Sequence, residues 1–516
     1  MDNPLVMTFD VGTQSVRAML VNKHGEVESS CKLPYGHPSL PPKVIGEAEQ
    51  YPDFYYDKVC EASVMLKGQN PALFSRVVAV TITCIRDTVL ILDKDHKPLR
   101  NIIMWMDCRR APGKPNPPFL HKFLLWLVGM RETVKMLYKD AYFNWIRECE
   151  PELWAKTDKF VMLPGYINYK LTGVLKDGVA NQVGHIPFDN RKRTWMKKGL
   201  ARCVADIPLD KLIDLTETGT TIGYINAETA RRSAIPEGLP LIATGTDKAC
   251  EALGLSVVTQ DKAALSLGTA ATIQFCTPRY FEPEPFLPSY PSVIPGYFNA
   301  ENQIYRGYWM VTWFIDQFCS DEKRLAQERG CSVEEILDAY MDDVPPGCDG
   351  LIMTPHLAPG AGNPYAKGII TGLSDTHSKK HLYRAIIEGL DFELYHAMKR
   401  MELRSGQRIT CLYAGGGGSI SNKVLQMTAD IFGLPVKRTQ TNECSGLGSS
   451  IAAFVGLGVY RDFNEAVCAM TRDTSVFIPD PETHKLYSDI YKNVYNTLER
   501  KNTSIFRAIR KLRRNS

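Results

Sequence analysis

The chain has 516 residues, more than a single hydrophobic core usually serves, so two or three domains are expected. Hydrophobic residues at 44%, charged residues at 23% and a mean hydropathy of −0.19 match ordinary globular proteins and argue against disordered, fibrous and membrane-embedded classes. The net charge of +4 comes from the end of the chain, where residues 500–516 carry seven Lys or Arg and no acid.

The N-terminal stretch MDNPLVMTFDVG has no basic flank followed by a long apolar run, and no segment approaches the ~18 apolar residues of a membrane span. A cytoplasmic protein without a membrane span is expected. Fourteen cysteines lie singly between Cys31 and Cys468 with no Cys-x-x-Cys pair, which fits reduced, mostly buried thiols. LVMTFDVGTQSVRAMLV reads as strand, Gly turn, strand, and VVAVTITCI and VLILD as buried strands. DAYFNWIRECEPELWAKT and PGYINYKLTG carry helical spacing and turn signals. AALSLGTAATIQF then repeats the opening form, setting Gly268 and Thr269 over Gly12 and Thr13 at a spacing of 256 residues, half the chain. The proline-rich EPEPFLPSYPSVIPG reads as a loop on the second domain. HLYRAIIEGLDFELYHAMKRM reads as an amphipathic helix, ITCLYAGG as a strand running into glycines, and KVLQMTADIFG as a helix stopped by Gly433. Strands alternating with helices imply an α/β class, with domains 1–258 and 259–516. Ile505, Phe506, Ile509 and Leu512 recur at helical spacing in the basic tail. They form either a surface for anionic lipid or nucleic acid or, the preferred reading without a second basic patch, a solvated last helix.

Phosphate handling needs approachable backbone N–H groups, hydroxyl donors, a cation and a carboxylate for Mg²⁺. FDVGTQSVR offers Asp10, Thr13, Gln14, Ser15 and Arg17 in one turn, although a surface hairpin would look the same. No G-x-x-x-x-G-K-[ST] loop, G-x-G-x-x-G or protein-kinase motif set is present. AGGGGSISN, between a strand and a helix, can lay Gly415 to Gly418 against a flat adenosine with Ser421 and Asn422 beside it, or can simply pack tightly. In PLIATGTDKACEALG, Asp247 stands where a strand yields to a helix, as an N-cap or as an acceptor of a hydroxyl proton.

The order DxGTxSxR, Arg-Asp after a strand, MWMDCRR, the Asp247 loop, the second Gly-Thr hairpin and the glycine loop resembles the FGGY carbohydrate kinases over nearly the whole chain. GIITGLSDTHSKKHLYRAIIE is similar to the second signature of that family throughout, whereas in YFNWIRE Tyr142 replaces the lysine of the first. The resemblance implies two actin-like, ribonuclease H-like ATPase domains with a deep interdomain cleft, an N-terminal one for a small sugar or polyol and a C-terminal one for ATP. It implies Asp247 as catalytic base and Asp10 as the carboxylate organising Mg²⁺. Thr13, Gln14, Ser15 and Arg17 would line the first phosphate loop, Gly268 and Thr269 the second, and Gly416, Gly417, Ser421 and Asn422 the adenosine. TCIRDT is similar to a glycerol kinase motif that holds substrate hydroxyls, which points to Arg86 and Asp87 as acceptor ligands. Lys248 replaces a common Gln beside the base and either favours an acidic acceptor or points to solvent. Trp105 and Trp145 read as core aromatics, His381 as a helix-start residue and Glu388 as one member of a helix-face pair. A homodimer is compatible with this reading, and nucleic acid is not an expected partner. The other classes that remain are an ATP-driven binding or chaperone-like protein of the same superfold and an inactive kinase kept for interaction.

Overall fold

The computed structural model describes residues 3–127, 130–285, 287–357 and 366–514. They form two compact units, each with its own sheet and core: Met1–Gly254 with Tyr290–Phe298 and Ser445–Thr471, and Leu255–Ser289 with Asn299–Cys444 and Arg472–Ser516. The first break lies four residues before the expected position 258, and each unit is assembled from separate stretches where contiguous halves were expected.

The first unit is built on β1 (Leu5–Val11), whose seven residues are all buried, as expected of a strand covered on both faces. It pairs antiparallel with β2 (Ser15–Asn22), which pairs with β3 (Val27–Pro34), and parallel with β4 (Val77–Cys84). Two short strands, β5 (Thr221–Tyr224) and β6 (Pro240–Ile242), complete the order β5-β6-β4-β1-β2-β3, with β6 parallel to β4. Helix α1 (Phe54–Gln69) covers β1–β3, and α2 (Leu163–Thr172) stops at Gly173 in the left-handed conformation. Helix α3 (Asp247–Gly254) closes the contiguous part. The expected helical stretch 140–157 is two helices, Tyr142–Cys149 and Pro151–Lys156. Pro151 has no N–H to continue the first one and restricts Glu150 before it.

The second unit repeats the plan. The antiparallel hairpin β7 (Lys262–Leu267) and β8 (Ala271–Thr277) has β10 (Cys411–Gly415) parallel to β7, as β4 is to β1. With β9 (Phe298–Ile304), β11 (Val436–Thr439) and β12 (Asp473–Phe477), the strands run β9-β8-β7-β10-β11-β12. Read from its other end this run of six, within a sheet of seven that ends on the short strand Tyr290–Pro291, has the order of the first sheet, and the strand β12 at its far edge again runs antiparallel to its neighbour. The repeat expected from two Gly-Thr turns therefore extends to six strands. Helix α4 (Lys379–Ser405) begins with a capping box between Ser378 and His381, the helix-start role expected of that histidine, and α5 (Asn422–Phe432) ends on Gly433.

Helix α6 (Cys444–Gly456) returns to the first unit: Ser450 meets Thr8 of β1 at 2.7 Å and Ser449 meets Thr81 of β4 at 3.1 Å, hydroxyl to hydroxyl. The basic tail is helix α7 (Asn496–Arg514), with Phe506 buried and Ile505, Ile509 and Leu512 exposed. All fourteen cysteines are free thiols and eight are buried. Among the described residues no helix is long and apolar enough to cross a membrane.

Candidate active site

Three parallel strands of the first unit end side by side. Val11 at the end of β1 pairs with Cys84 at the end of β4, and Cys84 bridges to Thr246 beyond β6. Ligand sites of α/β sheets form at such carboxyl ends, and Asp10, the pair Arg86–Asp87 and Asp247 all stand there. Burial, then the charges of Asp247, Asp177 and Asp10, push the Cys84 thiol well above its ordinary range, which marks how closely these carboxylates surround one strand end.

Asp10 is buried and faces Arg17 across the hairpin, with Arg17 Nη1 3.5 Å from its Oδ2. The loop 12–14 between them is closed by the Gly12 N–H donating to the Ser15 carbonyl at 3.0 Å. Gln14 is exposed, Thr13 half-buried and Ser15 buried at the start of β2. The Trp105 indole N–H donates to Thr13 Oγ1 at 3.0 Å, and the residue is 38% exposed, so Trp105 is not the core aromatic expected but a neighbour of the first hairpin. Trp145, by contrast, is partly covered by the guanidinium groups of Arg100 and Arg109, 5.2 and 4.5 Å from its ring.

Asp247 is the first residue of α3 but does not cap it. Thr246 Oγ1 accepts from the Ala249 N–H at 3.4 Å, the geometry of an N-cap, while Asp247 Oδ1 accepts from the adjacent Lys248 N–H at 2.8 Å. Burial raises the Asp247 carboxyl above its ordinary value, against the lowering charges of Lys248 and Arg86. Lys248 pairs within its own helix: its Nζ is 2.7 Å from Glu251 Oε2 one turn along α3, and both side chains are largely buried. Arg86 lies over the Tyr290 ring at 5.9 Å. This corrects the reading of the proline-rich loop as a second-domain feature, because its Tyr290–Gly296 part belongs to the first unit.

Asp87 adopts φ = 48°, a left-handed conformation rare outside glycine, and its Oδ2 meets His185 Nδ1 at 3.1 Å. Burial works against a charge on His185, but the Asp87 carboxylate outweighs it and raises the imidazole above its ordinary value. Ninety-eight residues separate this pair, and the sequence marks the histidine only by the glycine before it. Sequence reasoning missed it.

In the second unit the two nucleotide candidates converge. Gly416 adopts φ = 85°, and a Cβ there would come within 2.9 Å of the Leu267 carbonyl carbon and 3.1 Å of the Gly268 nitrogen, so the glycine loop lies against the β7–β8 turn that carries Thr269. A Cβ on Gly418 would enter the Tyr308 ring, whereas one on Gly417 would meet nothing within 4 Å. Close packing thus accounts for Gly416 and Gly418, and Gly417 alone of the three faces open space. Ser421 caps α5, accepting from the Val424 N–H at 3.2 Å and donating to Asp338 at 2.9 Å, and Asn422 Oδ1 accepts from Arg438 at 2.9 Å. The signature helix serves the core: Glu388 pairs with Arg384 one turn away at 2.8 Å and accepts from Tyr487 at 2.7 Å. Gly372, at φ = 82°, abuts the Gly350 carbonyl.

Residues 5–254 match the N-terminal domain of the FGGY family of carbohydrate kinases, and residues 263–457 match its C-terminal domain. An uncharacterized sugar kinase of Escherichia coli K12 is 27% identical over 504 residues, 96% of this chain and 94% of that protein. The xylulose kinase of Bacillus subtilis strain 168 is 26% identical, covering 97% of this chain and 98% of that protein. A gluconate kinase structure from Lactobacillus acidophilus shares the fold with a TM-score of 0.83 at 20% identity, over 98% of this chain and 100% of that one. With two matched domains spanning most of its length and relatives that are kinases from end to end, the chain belongs to the FGGY family of carbohydrate kinases and is an ATP-dependent phosphotransferase acting on a carbohydrate hydroxyl.

Proposed function

We propose that this kinase acts in the cytoplasm on a neutral sugar or polyol, bound by the first unit at the ends of β1, β4 and β6, with Asp247 as general base. The observation that carries the reading is the state of Asp247: a carboxylate at the end of a parallel-strand layer, released from capping by Thr246 and raised by burial toward the range useful to a base. Arg86 and Asp87 offer a charged donor and acceptor for the acceptor hydroxyls, and His185 fixes the Asp87 carboxylate. Asp247 accepts the proton of the attacking hydroxyl as its oxygen bonds to the γ-phosphorus and the bond from that phosphorus to the β,γ-bridging oxygen breaks, so that ADP leaves. The second unit holds ATP between the Gly268–Thr269 turn and the open face at Gly417, with Ser421 and Asn422, which also fix the loop, beside the adenosine.

The donor set fits Mg²⁺. Among the described residues no group of three or more His, Cys, Asp or Glu could cage a metal, and Asp10 offers a single buried carboxylate, as suits an ion that keeps several waters and takes its other ligands from phosphate. Bound there, Mg²⁺ would neutralise charge on the phosphates, while Arg17 holds Asp10 in place.

The preference for a neutral acceptor rests on the balance of charge: Lys248 is held by Glu251, which leaves Arg86 as the cation facing the carboxylates of Asp10, Asp87 and Asp247 at the same strand ends. ADP release measured over glycerol, tetritols, pentitols, ketopentoses, ketohexoses and sugar acids tests the acceptor class, and turnover confined to sugar acids would refute it. Asp247→Asn tests the base. Thr246 keeps the helix cap, so the variant should melt like wild type and still bind Mg²⁺-ATP, yet lose at least ~10²-fold in kcat. Near-normal turnover in that folded variant would remove Asp247 from the role.

A further inference from the structure

The helix Phe119–Leu127 leaves almost its whole apolar surface in water. Phe119, Leu120, Phe123, Leu124, Trp126 and Leu127 are 47–86% exposed, and Leu125 alone is buried. At 3.6 residues per turn the six fall on one arc of about 160°, with Leu125 on the opposite side. Monomeric proteins seldom expose so contiguous an apolar patch without a partner for it. The approach to the helix is stiff, with Pro112, Pro115, Pro117 and Pro118 in seven residues. The next helix, Arg131–Asp140, buries Val134 and Tyr138 and exposes Arg131 and Lys135. Between Lys114 and Lys139 the chain has five basic side chains and one acid, Glu132.

We propose that this face docks on the surface of an anionic lipid bilayer, with Phe119, Phe123 and Trp126 entering the headgroup region and Lys114, Lys122, Arg131 and Lys135 meeting lipid phosphates. Aromatic and leucine side chains on one side with basic residues beside them are the composition of an interfacial helix. Nine residues rise only about 14 Å, half of a hydrocarbon core, so the helix lies on the membrane and does not span it. A second copy is the natural rival occupant. Pairing two such faces would bring together two sets of four cations, Lys114, Lys122, Arg131 and Lys135, with Glu132 as the acid beside each set, whereas an anionic surface is complementary to them.

Flotation of the full-length protein with vesicles of phosphatidylcholine, or of phosphatidylcholine containing about a third phosphatidylglycerol, decides the matter. The protein should float with the anionic vesicles, at least ~10-fold less with the neutral ones, and be released by salt. Phe123→Ser with Trp126→Ser should abolish flotation while melting temperature, elution volume and kinase activity on a soluble acceptor stay as in wild type. Lys122→Glu with Lys135→Glu should weaken it with the apolar face intact. Failure to float with either vesicle, or equal flotation of the serine variant, overturns the proposal. A wild-type dimer that becomes a monomer in the serine variant overturns it too and assigns the face to a second copy.

Discussion

Lys248 and Asp247 are adjacent in the chain and opposite in charge, yet each is governed by a different neighbour. Glu251 neutralises the lysine, and burial acts on the aspartate more strongly than either nearby cation. The acidic limb of kcat/KM should therefore lie above the ordinary carboxylate range, because Asp247 stays protonated and unable to accept a proton to higher pH than a solvated aspartate would. Lys248→Gln removes a charge that favours the carboxylate, so the limb should move further up in pH, and Arg86→Ala should act in the same direction. A pH–rate profile that is unmoved or shifts downward in Lys248→Gln would show that the limb belongs to another group. Arg86→Ala and Asp87→Ala should also raise the acceptor KM or lower kcat/KM, each charged hydrogen bond being worth roughly 1.5–3 kcal/mol, while the Kd for ATP barely changes. Equal damage to ATP affinity would place both residues elsewhere.

At the scale of elements, the glycine loop after β10 separates two uses of one residue type. Gly416→Ala forces a Cβ into a left-handed position against the Leu267–Gly268 backbone and should cost about 1–3 kcal/mol of stability, read from denaturant unfolding. Gly417→Ala should leave stability within about 1 kcal/mol and weaken ATP binding instead, since its Cβ meets open space in the free protein. Unimpaired nucleotide affinity in Gly417→Ala would move the adenosine off this loop. The sequence showed that a glycine run follows a strand but not which glycine is spent on packing, because that depends on Tyr308 and Leu267, more than a hundred residues upstream. The same limit hid His185. Both hairpins, the strands before Arg86 and Asp247, and the long helices were legible because each is written within twenty or so consecutive residues. Trp105 was misjudged since large aromatics are usually buried, and nothing near it in sequence announces Thr13 as a hydrogen-bond partner.

At the scale of the whole molecule, the repeat of six strands explains why two short Gly-Thr turns stand half a chain apart: each is the tip of the central hairpin of its own sheet. The two copies differ in how the chain completes them. The sheet of the first unit is covered in part by α6, whose Ser449 and Ser450 bond to Thr81 and Thr8, and that helix is encoded just over two hundred residues after the last strand of the sheet it covers. During synthesis, residues 1–254 leave the ribosome with this face of β1 and β4 uncovered, and it stays so until residue 456 has emerged. The first unit is thus started first but is not complete until residue 471, by which point most of the second unit has already been made. A nascent chain halted at residue 258 should be protease-sensitive and aggregation-prone, and in one halted after residue 471 the first unit should resist digestion, although both contain every strand of the first sheet.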